Sequence, residues 1–94
     1  MIEIKNIYGE VIERFPELDS LVGADLSYHD LMFADFRGMD VSDVNFEGAD
    51  LCGAEFDDWV FDGSNLNPPD FTDTYYEIVV HYGGGGHHKH FRRW

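Results

Sequence analysis

From residue 24 the hydrophobic and polar positions recur every five residues. The blocks read ADLSY, HDLMF, ADFRG, MDVSD, VNFEG, ADLCG, AEFDD, WVFDG, SNLNP and PDFTD. The third column is Leu26, Leu31, Phe36, Val41, Phe46, Leu51, Phe56, Phe61, Leu66 and Phe71, every one large and apolar. The second column is Asp25, Asp30, Asp35, Asp40, Asn45, Asp50, Glu55, Val60, Asn65 and Asp70, acidic or amide at all but Val60. Small residues favour the first column, with Ala24, Ala34, Ala49 and Ala54, and Gly38, Gly48, Gly53 and Gly63 close their blocks.

A period of five fits neither the 3.6 of a helix nor the 2.0 of a continuous strand. It fits a short strand followed by a corner. Columns one and three then point inward, column two points outward, and columns four and five turn the chain, where glycine supplies the needed backbone freedom. No block can bury its own apolar face, so the blocks must wind and stack as a solenoid.

This tandem A(D/N)LXX pattern, covering 24–73, resembles the pentapeptide-repeat proteins. The resemblance implies an all-β fold, a right-handed four-sided parallel β-helix with four blocks to a coil and about two and a half coils. Residues twenty apart would then stack: Leu26 over Phe46 over Leu66, Leu31 over Leu51 over Phe71, Phe36 over Phe56, and Val41 over Phe61. At about 4.8 Å per coil the rod would rise ~12 Å. Met39 and Trp59 replace the small first-column residue twenty positions apart and would reshape one side, and Pro68-Pro69 would stop regular coiling.

The flanks read as caps, because an open solenoid end invites pairing with other chains. Residues 1–23 form an N-terminal cap, in which IEIKNIYGEVIERF alternates around Gly9 as a β-hairpin; a short amphipathic helix over 10–19 is the rival reading. Residues 74–82 have strand character and could cover the last coil. Residues 83–94 read as a flexible Gly/His/basic tail.

Charge changes the picture. The 94 residues carry nineteen acids against six lysines and arginines, a formal net charge of −13. With 44% hydrophobic and 16% aromatic residues, the chain is not a disordered acidic tail. Direct nucleic-acid binding is disfavoured, since such proteins are usually basic. One cysteine, Cys52, excludes an internal disulfide and suits a reducing cytoplasm. There is no signal-peptide core and no run of membrane-spanning length. A chain this short has little room for an elaborate cleft, and it shows no nucleophile elbow, Ser-His-Asp order or phosphate-cradling glycine motif, so we expect no catalytic residues and no cofactor. His81, His87, His88 and His90 lack a cysteine or fixed carboxylate at ligand spacing, which argues against a metal site. His29, on an inward column, reads as a hydrogen-bonded core residue, and nothing near Cys52 argues for an activated thiol.

The acids are the candidate functional residues. From Glu17 to Glu77 there are sixteen of them and only Arg37 to oppose them. Four-sided winding would stack Asp30, Asp50 and Asp70 on one side. Asp35 and Glu55 would stack on the next, with Asp57 and Asp58 at its corner; Asp40 follows, with Asp43 and Asp62 at its corner. Column-two residues can be explained as turn caps. Corner acids such as Asp43, Glu47, Asp57, Asp58, Asp62 and Asp73 cannot, and the charge exceeds what solubility needs. A spacing of about 4.8 Å compares with ~3.4 Å between phosphates on one DNA strand.

The expectation is a non-enzymatic, monomeric DNA mimic that occupies the basic groove of a DNA-binding protein. Its general similarity is to small acidic phage-type inhibitors, anti-CRISPR or anti-restriction, acting in the host cytoplasm on a CRISPR surveillance complex, a restriction enzyme or gyrase. The alternatives are gyrase protection, whose known agents in this family are long rods dimerised through a helical element, and a structural protein-interaction module using Tyr28, Met32, Phe33, Trp59 and Trp94 as anchors.

Overall fold

In a computed structural model, residues 1–62, 64–82 and 87–93 are described, the last segment as backbone only. The strands are β1 (Ile2–Asn6), β2 (Val11–Phe15), β3 (Ala34–Asp35), β4 (Asp50–Asp57), β5 (Tyr75–Tyr82) and β6 (His87–Arg93). They form one six-stranded sheet in the order β2-β1-β3-β4-β5-β6. A 3-10 turn, Asp58–Phe61, is the helical element among the described residues.

The five-residue period produces the coil as its chemistry requires. Rungs are joined by parallel hydrogen bonds: Leu26 N–H to Asn45 O at 2.8 Å, Leu31 N–H to Asp50 O at 2.8 Å, and Phe36 N–H to Glu55 O at 2.9 Å. The third-column residues Leu26, Leu31, Phe36, Val41, Phe46, Leu51 and Phe56 are all buried. Leu21 is buried with them, so the coil begins one block earlier than the pattern suggested. Phe36 and Phe56 stack with centroids 5.0 Å apart, forming the aromatic axis; each ring contributes about 1.5–3 kcal/mol by leaving water.

The second column does two jobs. Its carboxylates point outward and accept the backbone N–H two residues on. Asp25 holds Ser27 N–H (3.0 Å), Asp30 holds Met32 (3.2 Å), Asp40 holds Ser42 (3.0 Å), Asp50 holds Cys52 (3.0 Å) and Asp70 holds Thr72 (2.9 Å). Asn45 holds Glu47 N–H in the same way at 2.9 Å, so an amide serves as well as a carboxylate. The fifth column takes the left-handed conformation, at Gly48 (φ +67) and Gly53 (φ +78) but also at Tyr28, Phe33, Asp43 and Asp73. At Gly48 and Gly53 the space above the corner is filled by the Tyr28 and Phe33 rings, which a Cβ would meet at 2.4 Å.

The twenty-residue period breaks at WVFDG, and the register shifts again between Cys52 and Glu55, where the β4–β5 offset falls from twenty-five to twenty-four. Trp59 is too large for the small first-column site, and the chain turns into the 3-10 element. There Val60 enters the core at 3% exposed while Phe61 is left 39% exposed. Leu66, expected above Phe46, is 90% exposed. Coiling resumes at the buried Pro69, so the next rung is twenty-five residues on: Phe46 N–H donates to Asp70 O at 2.8 Å. Phe71 therefore lies over Phe46, not Leu51, and Leu51 pairs with Tyr76.

At the lower end, β1 and β2 pair antiparallel, and β1 runs antiparallel beneath β3. At the upper end, β5 runs parallel to β4 and β6 antiparallel to β5. The expectation of a flexible tail over 83–94 is thus corrected for 87–93, which form a paired strand; residues 83–86 and 94 lie outside the described residues. With β4 paired along one side of β5, β6 covers its other edge.

Candidate functional site

The register slip rearranges the acidic rows. Asp30 and Asp50 bridge in parallel as expected. Asp70 does not join them: it bridges Asn45, which bridges Asp25, and the third member of the Asp30–Asp50 row is Tyr75. The expected row of three carboxylates is replaced by two adjacent rows, Asp25–Asn45–Asp70 and Asp30–Asp50–Tyr75, meeting at the corner of Tyr28, Gly48 and Asp73.

Asp35 and Glu55 also stack, but each is engaged by a side-chain partner. The Arg37 Nε donates to Asp35 Oδ1 at 2.9 Å and a second guanidinium N–H to Oδ2 at 3.0 Å, and this pairing holds the Asp35 carboxyl below its ordinary range. His81, carried in on β5, pairs with Glu55. Asp57 accepts the Gly38 N–H at 2.7 Å, and Asp58 opens the 3-10 turn. On the remaining side Asp40 accepts the Ser42 hydroxyl at 2.6 Å, and Asp62 accepts the Ser64 N–H and hydroxyl at 2.9 Å each. Asp43 is exposed at a left-handed corner.

The Tyr28 corner is different. Asp25, Asp30, Glu47, Asp50 and Asp70 surround it, and none of them is in an ion pair among the described residues. The Tyr28 hydroxyl donates to Glu47 Oε1 at 3.2 Å. The Glu47 charge, this hydrogen bond and the more distant Asp73 together raise the phenol pKa, a sign of concentrated negative potential. Hydroxyls from Ser27 and Thr72 hold the Asp25 and Asp70 carboxyls below 3.8, so both stay ionised. Sequence reasoning places the individual acids but misses Glu47 and Asp25 as members of this edge.

Exposed apolar groups border it. Tyr28 is 74% exposed, Met32 41%, Phe33 39% and Tyr8 70%, with the Tyr8 and Phe33 rings 6.0 Å apart. His29 is half-buried, its Nδ1 2.9 Å from Ser27 O. Burial, followed by the neighbouring Asp50, raises the Cys52 thiol pKa, so it is a poor nucleophile. No cluster of potential metal ligands occurs among the described residues, and no helix there is long and apolar enough to cross a membrane.

Residues 30–67 match the family described as Pentapeptide repeats, in eight copies. The coil and its five-column register agree with this match, so this segment is built of pentapeptide repeats. No curated protein and no solved structure gives a significant match.

Proposed function

We propose that this is a non-enzymatic interaction protein whose acidic edge occupies the basic groove of a DNA-binding protein in place of nucleic acid. The observation that carries this reading is the edge around Tyr28. Five carboxylates lacking an ion pair among the described residues lie on two adjoining sides of a stiff coil and the corner between them; Asp30 and Asp50 sit one rung apart, about 4.8 Å, and Asp25 and Asp70 two rungs apart across Asn45. Such an arrangement steers a cationic partner and makes binding fall with salt. The small coil suits a short recognition site of the kind read by a defence complex, so an anti-CRISPR or anti-restriction role in a host cytoplasm is the specific form proposed. Gyrase is the alternative target of the same edge.

A protein-interaction module of another kind is favoured by the exposed Tyr8, Met32 and Phe33. The two readings separate in one experiment. Proteins captured from bacterial lysate on the immobilised chain are challenged with short DNA duplexes and with increasing salt. The mimic reading expects displacement by both. Retention under both supports an apolar adaptor surface and overturns mimicry.

A further inference from the structure

A second surface lies at the diagonally opposite corner of the coil. There the chain leaves the regular path at Asp58–Phe61 and opens a recess of about 500 Å3, walled by Met39 and Trp59 and bordered by Asp40, Asp57, Ser42 and Asn65. Val60 is buried, and the neighbouring Trp59 lines this side. A smaller recess continues from Met39 and Asp40 toward Asp19 and Ser20.

We propose that this recess takes an arginine side chain of a partner protein, its guanidinium stacked on the Trp59 indole and hydrogen-bonded to Asp40 and Asp57. The two carboxylates are anchored by one oxygen each. Asp57 uses Oδ2 to accept the Gly38 N–H, and Asp40 uses Oδ1 to accept the Ser42 N–H and hydroxyl. Their other oxygens, Asp57 Oδ1 and Asp40 Oδ2, have no hydrogen-bond donor among the described residues. Among the described residues no lysine or arginine lines the recess, and Arg37 nearby is held bidentate by Asp35. An aromatic face beside two anchored carboxylates matches a flat, delocalised cation with forked donors better than a compact ammonium. A neutral apolar group would bury the carboxylates without pairing them. The site does not depend on the DNA-mimic reading, since any arginine-bearing partner would satisfy it.

The test uses the whole protein and a small probe. N-acetyl-arginine amide is titrated into isotopically labelled protein while the Trp59 indole N–H and Met39 methyl resonances are followed, with N-acetyl-citrulline amide as the neutral isostere. Saturable shifts with the arginine probe alone are expected, weakened at least fivefold by Asp57→Asn and by Asp40→Asn. Both variants keep the anchoring acceptor, and an otherwise unchanged amide spectrum shows that the coil is intact. Equal shifts with citrulline, no shifts, or undiminished affinity in both variants would overturn the proposal.

Discussion

Phe46 and Phe71 stack with ring centroids 5.5 Å apart and planes 11° from parallel, although twenty-five residues separate them and the rung below repeats at twenty. This pair marks where one block leaves the coil, and it decides which acids share a side.

The slip predicts opposite outcomes at two third-column positions. Phe46→Ala removes a fully buried ring and should cost about 3–5 kcal/mol in chemical denaturation. Leu66→Ala should change stability by no more than ~0.5 kcal/mol, because Leu66 stands in solvent. Similar losses at both would restore the regular twenty-residue register.

The corners can be tested by a mutant cycle. Gly38→Ala meets nothing within 4 Å and should cost only the left-handed backbone penalty, ~1–2 kcal/mol. Gly53→Ala also displaces the Phe33 ring and should cost more. In a Phe33→Ala background the excess should vanish, as expected for two groups in direct contact.

The turn-capping aspartates predict a pH effect with a definite sign. The Thr72 hydroxyl and then its N–H hold the Asp70 carboxyl below 3.8 in the folded chain. A lowered folded-state pKa means that the stabilisation is present above the unfolded value and is lost as pH falls through the folded one. Thr72→Val should raise the Asp70 pKa toward 3.8 in an NMR titration, though not fully, since the backbone N–H remains. An unchanged titration would refute this account of the turn.

Much of the coil is legible in the five-residue pattern. Third-column residues from Leu26 to Phe56 form the core because a five-residue strand-and-corner leaves no other face for them. The same register correctly pairs Asp30 with Asp50 and Asp35 with Glu55. It fails at WVFDG, whose Phe61 and Gly63 fit the pattern although Trp59 and Val60 do not. Tertiary fit decides the outcome, because a small inward site rejects tryptophan and accepts valine. The partner of Glu55 is hidden for a different reason. His81 is twenty-six residues away and arrives only through the shifted pairing of β4 with β5, which aligns Asp57 with His81. Strand β6 resembles a tail in the sequence because glycine and histidine composition masks a segment whose partner is the strand before it.

The central claim is that the position of the acids, beyond their number, makes the interaction surface. Asn45 shows that an amide keeps the turn, so paired Asp→Asn changes remove charge without removing a cap. Asp30→Asn with Asp50→Asn clears the open edge, and Asp35→Asn with Asp62→Asn makes the same change in net charge elsewhere. The most direct measurement is capture of a duplex-displaceable protein from lysate by each double variant at low salt. The account predicts that the first variant loses capture at least tenfold while the second keeps it. Equal loss in both, or loss only in the second, would contradict it.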